Sequence, residues 1–399
     1  MPTPDVTAPE TDVVHAPPST PGIDVAHAPR AAPEIDLVHA PRPWGAMIFH
    51  WLRRRWDRLV LWTISAGFSV MLTIFLSLRR TRMSHNNGVV GRGSATIVAD
   101  PDEISLPPLF VPGRVFPCRV RHAAASFMDD AMRVVRSMSV KFADENYDSP
   151  FDMELNTGEV ALFWSCASFL RFAKYKRTKY GIQYHEYYRR YPAGVRGAQV
   201  GMRRDPTSFT NLEYYAQTPY LWTGEDEVQR YARYRCVPHP HVPESGKLDP
   251  TDMSDPSEDQ RIRPGETRSR NYLKEEYQRR IPEKPARYML QVQLHTAQDD
   301  DSPEIFNCCA EWDERTHPWH DLALIEVNEV LDWETSCLTA YSLANLPDEL
   351  GMIPAESIFD YNSLNYMRRH SELARKVRVL TCRIFGAPPE IPNDDNRNV

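Results

Sequence analysis

The stretch Tyr288–Leu331, YMLQVQLHTAQDDDSPEIFNCCAEWDERTHPWHDLALIEVNEVL, decides the fold. Its first part, Met289–His295, alternates polar and apolar residues, which predicts a strand with one apolar face. Its last part, Leu322–Glu329, alternates in the same way and predicts a second strand. The connection between them carries Trp312 and Trp319. Such a long connection is uncommon unless it packs on the domain or serves a function.

The middle and end of this stretch resemble the catalase superfamily. Phe306–Trp312 matches the superfamily's F-N-x-x-x-x-W segment, and His317–Val327 resembles the Pro-containing loop and P-L-I-x-V strand that follow it. Other superfamily landmarks occur in the same order along the chain, namely Gly113–His122, Asp130–Phe142, Asp152–Trp164, Tyr214–Tyr234 and Ala344–Ala355. The resemblance implies an α+β fold: an antiparallel closed β-barrel of catalase type with peripheral helices, over residues 88–385.

The N-terminal segment 1–43 is Pro-rich and repeats a short unit three times, each copy ending in His-Ala-Pro. So short a unit buries no core, so this segment is predicted to be a disordered tail. The repeated histidines His15, His27 and His39 leave two interpretations open. They form a metal-binding array, or they are the remains of a duplication in a linker.

Residues 59–78 contain no charged side chain. That is about the length that a helix needs to cross the hydrocarbon core of a bilayer. Arginines flank the segment on both sides, and Trp51 and Trp56 lie near its first end, as is typical of a membrane interface. The sequence therefore predicts a single transmembrane helix before the barrel, hence a single-pass membrane protein. A buried core helix is the alternative.

Bulk composition narrows the function classes. A formal net charge of -7 argues against a nucleic-acid partner, which requires a basic surface. The 7 cysteines are mostly scattered and do not form the spacing of a disulfide framework. Residues 240–272 are rich in Asp, Glu, Pro and Ser and are predicted to form a mobile loop, and 386–399 a polar tail.

The resemblance also implies a set of haem-site residues. Arg121 takes the place of an arginine that pairs with a haem propionate, and Asn156 that of the catalytic asparagine on the distal side. Tyr366 takes the place of the axial tyrosinate that binds the metal, although Asn362 replaces the arginine expected four residues earlier. The alternatives are an ordinary ion pair for Arg121, a turn asparagine for Asn156 and a core tyrosine for Tyr366.

The distal histidine is the point where the resemblance fails in this alignment. The V-H-A-x-G motif falls on 89–93 and puts Val90 at the histidine position. His85 is expected to be an exposed residue next to the membrane. Without an imidazole over the iron, peroxide dismutation by the usual route is not expected. Two other clusters, His317 with His320 and Cys308 with Cys309, are interpreted as structural rather than metal-binding or catalytic.

Two functions remain open from the sequence. The first is a membrane-anchored catalase-like protein that binds haem, or a lipid-like ligand, and acts on a peroxide or lipid hydroperoxide, as the allene oxide synthase-like subfamily does. The second is a non-catalytic, membrane-tethered scaffold or ligand-binding module that keeps only the barrel. Because catalase-type barrels assemble through N-terminal arms, the resemblance also implies a homo-oligomer.

Overall fold

The structure, a computed structural model, describes residues 44–125, 129–175, 184–249, 262 and 265–390. The Pro-rich tail, residues 250–261, 263 and 264 of the loop expected over 240–272, and residues 391–399 of the polar tail lie outside the described residues. From Pro43 onwards the chain forms one unit.

Eight strands close into an antiparallel barrel. They are β1 (Gly88–Ile97), β2 (Val115–Ala124), β3 (Val134–Lys141), β4 (Asp152–Thr157), β6 (Tyr214–Thr223), β7 (Gln229–Pro238), β8 (Ala286–Thr296) and β9 (His320–Val330). The sheet order runs β2-β1-β9-β8-β7-β6-β4-β3, and β2 also pairs with β3, which closes the ring. A two-residue strand, β5 (Met202–Arg203), pairs with the start of β3. The predicted closed barrel is therefore confirmed.

The two strands predicted from the deciding stretch are β8 and β9. They pair antiparallel, with Tyr288 opposite Ile325. β9 also pairs with β1, and the register shifts at Gly93, where a Cβ atom would stand 1.8 Å from the carbonyl oxygen of Glu326. Only glycine permits this approach, so Gly93 fixes the bulge that bends β1 onto β9.

Aromatic rings pack around one buried histidine in the barrel core. The His122 ring stacks on Phe209 with centroids 5.4 Å apart, and its Nε2 lies 3.0 Å from the Tyr288 hydroxyl oxygen. Tyr214 and Tyr277 also contact the imidazole. Burial, and to a smaller degree the charge of Arg121, lowers the pKa of His122 to about 3, so this histidine is neutral in the folded barrel.

In the described part of the chain, eight α-helices surround the barrel. They are α1 (Trp44–Arg79), α2 (Cys166–Tyr175), α3 (Tyr184–Arg190), α4 (Ala193–Gly201), α5 (Tyr272–Glu283), α6 (Trp333–Leu338), α7 (Ser363–His370) and α8 (Glu372–Phe385). Helices α7 and α8 follow the last barrel strand and are among the peripheral helices that the resemblance implies. The described residues thus agree with the expected α+β class.

Helix α1 contains the segment predicted to cross a membrane. Within the described residues it is the one helix long and apolar enough to do so. Only 28% of its most apolar window is buried, which is low for a core helix. Even so, Leu72 and Leu76 pack on Ala374 of α8, and Ile64 and Phe68 pack against the cluster that holds Leu364 and Met367 of α7. The sequence predicts the apolar helix but not this contact with the domain.

Candidate functional site

A cavity of about 660 Å³ lies where β3 and β4 face helices α1, α2, α7 and α8. Its volume is in the range of sites for a cofactor or a lipid-sized ligand. One part of the wall is apolar and is supplied by α1 and α2. Another part is polar and carries five arginines, namely Arg82, Arg121, Arg368, Arg375 and Arg378. The cavity is therefore suited to an amphipathic molecule with an anionic group.

Three of these arginines are bound to backbone carbonyls rather than to carboxylates. Arg82 donates to the carbonyl oxygen of Thr339 at 2.7 Å, Arg121 to that of His85 at 2.6 Å and Arg378 to that of Cys337 at 2.8 Å. Arg121 is 6% exposed and Arg378 3% exposed. Within the described part of the chain, no Asp or Glu forms an ion pair with any of the three. We call Arg82, Arg121 and Arg378 the arginine cluster.

The positive charges of the arginine cluster are unfavourable, because they are buried and repel one another. Burial lowers the pKa of Arg82, Arg121 and Arg378, and the neighbouring guanidinium groups lower the pKa of Arg121 and Arg378 further. The pKa of Arg378 falls to about 9. Buried charges normally have a counter-ion, because an unpaired one costs several kcal/mol. An anionic ligand in the cavity would supply the missing counter-charge.

Other polar atoms of the wall also lack a protein partner. Among the described residues, the Tyr341 hydroxyl, the Asn365 side-chain nitrogen and one terminal nitrogen of Arg378 are buried and accept or donate no hydrogen bond. All three residues line the cavity. In contrast, Arg375 is neutralised by Glu154 at 3.0 Å. Tyr341 and Arg378 lie close to Arg121, so a polar ligand group at the arginine cluster would bind their unsatisfied atoms.

His85 lines this cavity together with Asn156, which corrects the expectation of an exposed residue. Its backbone adopts a left-handed conformation, with φ of 57°, and its carbonyl oxygen accepts the hydrogen bond from Arg121. The imidazole Nδ1 lies 2.8 Å from the Ser84 hydroxyl. His85 is only half-buried, and the imidazole is in the wall of the cavity rather than in solvent.

The alignment that put Val90 at the histidine position is wrong by five residues. Gly88 follows His85 at the spacing of the V-H-A-x-G motif, and a Cβ atom at Gly88 would stand 2.5 Å from Arg121 Nη2 and 2.6 Å from the His122 carbonyl oxygen. Val90 is instead a buried residue of β1, paired with Arg121. The signal in the sequence was the His-x-x-Gly spacing directly before the first strand.

Asn156 and Arg121 both line the cavity, and their haem-site roles stay a prediction. Asn156 is on β4, opposite Ser137 of β3 and Tyr215 of β6. Arg121 is on β2, opposite Val90 of β1. Both side chains come from strands of the closed barrel, so their positions are fixed by backbone hydrogen bonding rather than by a loop.

Tyr366 is not in the cavity wall, and the axial role expected for it does not fit the structure. Its ring packs on His370 of the same helix, with centroids 4.6 Å apart. The face of α7 that lines the cavity carries Leu364, Asn365, Met367 and Arg368. Helical periodicity explains the difference, because a one-residue slip in the alignment turns a side chain by about 100° around the helix axis.

The remaining clusters from the sequence do not form a second site. His317 pairs with His295, with Nε2 and Nδ1 2.9 Å apart, whereas His320 is near Glu103. Among the described residues, no group of three or more His, Cys, Asp or Glu is arranged to hold a metal. Cys308 and Cys309 are free thiols whose sulfur atoms approach backbone carbonyls. Each of these side chains thus contacts other groups of the protein, and the structural interpretation from the sequence stays a prediction.

Known proteins share this architecture. The chain is 36% identical over 312 residues to the allene oxide synthase-lipoxygenase protein of Plexaura homomalla, covering 75% of this chain and 28% of that protein. It is 28% identical over 295 residues to linolenate 9R-lipoxygenase of Nostoc sp., covering 71% of this chain and 37% of the relative. Catalase A from Saccharomyces cerevisiae superposes with a TM-score of 0.59 at 14% identity, covering 80% of this chain and 67% of the catalase chain. No known family profile matches the sequence.

The chain belongs to the catalase superfamily. It spans about a quarter to a third of the length of the two curated relatives, 28% and 37%. Members of the superfamily are haem proteins, so the residues present can be tested against that cofactor. The arginine cluster suits two propionates, and His85 with Asn156 suits the distal side. The axial tyrosinate of the superfamily is missing, because none of the described α7 tyrosines faces this cavity and Met367 lines it there instead.

Proposed function

We propose that this catalase-superfamily chain is a membrane-associated protein that holds haem in the cavity and converts a lipid hydroperoxide. The single observation that carries the proposal is the arginine cluster, three buried or half-buried guanidinium groups without a carboxylate partner among the described residues. A ligand with two carboxylates, such as haem, would neutralise them. Haem would supply an iron centre that reacts with the oxygen–oxygen bond of a hydroperoxide.

The chain's own residues have distinct roles in this proposal. Arg82, Arg121 and Arg378 would hold the propionates of a bound haem. His85 accepts and returns the proton of the hydroperoxide, and Asn156 donates a hydrogen bond from its side-chain amide to an oxygen of the bound substrate. The apolar wall from α1 and α2 accommodates the hydrocarbon chain and excludes water from the reacting group.

The relatives support a lipid substrate. The Plexaura homologue is named as an allene oxide synthase joined to a lipoxygenase, and the Nostoc homologue as a linolenate lipoxygenase. Conversion of a fatty-acid hydroperoxide to an allene oxide removes one molecule of water and needs no other oxidant or reductant. Because His85 lines the cavity, the proposed site contains an imidazole that can serve peroxide chemistry.

The test is a turnover assay on the full chain. Protein purified in mild detergent and loaded with equimolar haem is expected to consume linolenate hydroperoxide. His85→Gln is expected to lower kcat by about 10²- to 10⁴-fold, the usual contribution of a positioned acid–base group. His370→Gln is the matched control, since His370 lies on α7 outside the described cavity wall. Equal turnover in both variants would contradict the proposal.

The residues of α7 that line the cavity favour a second candidate function. With Met367 and Arg368 in place of a tyrosinate, the cavity could serve as a binding site for a fatty-acid carboxylate without chemistry. This candidate predicts tight binding of linolenate by haem-free protein, weakened by Arg121→Met, and no haem uptake. Competition between haem and linolenate for the same protein, followed by the haem absorbance, separates the two candidates.

A further inference from the structure

The apolar helix α1 is part of the cavity as well as a membrane-like segment. Phe68, Met71, Leu72, Phe75 and Leu76 all line the cavity that contains His85 and Asn156. They lie on one side of the helix with spacings of three and four residues, as expected of a single face. The same face packs on α8 through Leu72 and Leu76. A site for a ligand and a surface for a membrane therefore meet on one helix.

The cavity opens at this helix. Met71 is 54% exposed, Phe75 45% and Met83 40%, although all three line the cavity. A residue that faces both the cavity and the outside marks the rim of an opening. We call Met71, Phe75 and Met83 the apolar mouth. A mouth made of such side chains does not favour a polar substrate arriving from water.

The apolar mouth continues into a larger exposed apolar surface. On α1 the outward residues Leu59, Trp62, Val70, Ile74 and Leu78 are between 52% and 80% exposed. On α8 the exposed apolar residues are Leu373, Leu380, Ile384 and Phe385. No charged residue interrupts α1 between Leu59 and Leu78. Soluble proteins rarely leave so large an apolar surface uncovered, so it indicates contact with a membrane or another protein.

The ends of the segment favour the membrane. Trp51, Trp56 and Trp62 are exposed and lie near the first end of the apolar segment. Arginines precede the segment and also follow it. Tryptophan and arginine in these places are typical of the headgroup level of a bilayer. A partner protein would not require either.

The contacts of α1 with the rest of the domain also fix the orientation of this helix along the domain. Arg54 pairs with Glu356 at 2.7 Å and Arg58 pairs with the same carboxylate, while Arg80 donates to the Gly386 carbonyl oxygen at 3.0 Å. Both ends of the apolar segment are thus fastened to the domain. A helix held along a domain, with one face packed and the other apolar and exposed, suits a position in the plane of the interface.

We propose that the apolar mouth opens into the bilayer, so that the long-chain hydroperoxide reaches the cavity from the membrane rather than from water. The proposal rests on the proposed function for its substrate and on α1 for its route. In this proposal α1 both attaches the domain to the membrane and forms the opening of the cavity. A helix that served only as a membrane anchor would not form that opening.

The route is tested with spin labels on the full chain in phosphatidylcholine vesicles containing anionic phosphatidylglycerol. Six of the seven native cysteines are buried, so Met71→Cys and Phe75→Cys are labelled selectively once the partly exposed Cys309 is replaced by alanine. Oxygen is expected to relax both labels more than a water-soluble nickel chelate does. Val228→Cys, in the β6–β7 connection, is the aqueous control. Labels at 71 and 75 that prefer nickel, or that neither reagent reaches because a second copy covers them, would overturn the proposal.

A kinetic experiment tests the same route through turnover. Phe75→Trp narrows the mouth and is expected to lower turnover of vesicle-bound linolenate hydroperoxide by about tenfold or more, and to lower turnover of a water-soluble, short-chain dienoic-acid hydroperoxide by clearly less. Ile74→Trp, on the outward face of α1 but outside the described cavity wall, is the matched control and should change neither. Equal loss with both substrates would contradict the route. Wild-type inactivity with both would reject the proposed function, and the spin labels would still decide where the mouth opens.

Discussion

Arg121 on β2 donates a hydrogen bond of 2.6 Å from Nη2 to the backbone carbonyl oxygen of His85. This hydrogen bond connects Arg121, on the anion-binding side of the cavity, to His85, the proposed acid–base residue. It also holds His85 in its left-handed backbone conformation, with φ of 57°. The two halves of the site therefore depend on one buried guanidinium group.

Replacing Gly88 by alanine is expected to break this relationship. The new Cβ would lie 2.5 Å from Arg121 Nη2 and 2.6 Å from the backbone oxygen of His122, and the backbone atom cannot move aside. We expect a loss of about 1–3 kcal/mol of stability from overpacking, together with weaker haem binding. Thermal unfolding and haem titration measure the two effects. Gly67→Ala is the control, since nothing lies within 4 Å of its added Cβ and alanine favours a helix.

Arg378→Met should separate ligand binding from stability. Removing a buried guanidinium that has no carboxylate partner should stabilise the ligand-free chain, by about 1 kcal/mol or more, while ligand affinity falls. Charged hydrogen bonds contribute about 1.5–3 kcal/mol, so we expect a decrease of about 10- to 100-fold in affinity. Denaturant unfolding and ligand titration report the two quantities.

The control for this pair of effects is Arg375→Met. Arg375 is paired with Glu154 at 3.0 Å, so its loss leaves a carboxylate unpaired and should destabilise the chain. The two variants should therefore change the stability of the ligand-free chain in opposite directions. If Arg378→Met also destabilises the ligand-free chain, the buried charges of the arginine cluster are not unfavourable in that chain.

Lys141 and Asp152 form a buried ion pair between β3 and β4, with their nitrogen and oxygen 2.9 Å apart and both side chains fully buried. Asp152 also accepts hydrogen bonds from the Ser342 backbone and the Asn345 side chain. Asp152→Ala is expected to cost about 3–5 kcal/mol, because it leaves Lys141 buried without a counter-ion. The double variant Lys141→Met/Asp152→Leu should recover most of that loss in chemical denaturation.

The pH dependence of stability should contain a contribution from His122. Its folded-state pKa is about 3, well below the value of 6.5 in the unfolded chain. Between these two values the unfolded chain binds the extra proton, so stability falls as pH drops from about 6.5 towards 3, by at most about 1.4 kcal/mol per pH unit. Above pH 6.5 the contribution is fully present.

His122→Gln keeps a hydrogen-bonding group near Tyr288 and should flatten this slope. His241→Gln, whose native side chain is 68% exposed, should leave the slope unchanged. Urea unfolding at a series of pH values measures both variants. An unchanged slope in His122→Gln would show that this imidazole is not buried in its neutral form.

The sequence predicts the barrel well because a strand buried on one face must alternate its side chains. Met289–His295 and Leu322–Glu329 alternate, and they are β8 and β9. Of the arginine cluster, the resemblance indicates Arg121 alone. Arg82 and Arg378 could not be predicted, since the three arginines are far apart in the chain and meet only through tertiary packing. His85 could have been found from its spacing to Gly88, whereas the orientation of Tyr366 depends on helix rotation, which an alignment with a one-residue slip cannot give.

The central claim is that His85, Asn156 and the arginine cluster surround one haem-sized ligand. The most direct measurement is a haem titration of the full chain, followed by the Soret absorbance. We predict saturation at equimolar haem in the wild type and in Tyr366→Phe, and no saturation in Arg121→Met/Arg378→Met. A wild-type chain without a Soret band, or a band lost in Tyr366→Phe and retained in the arginine double variant, would contradict the account.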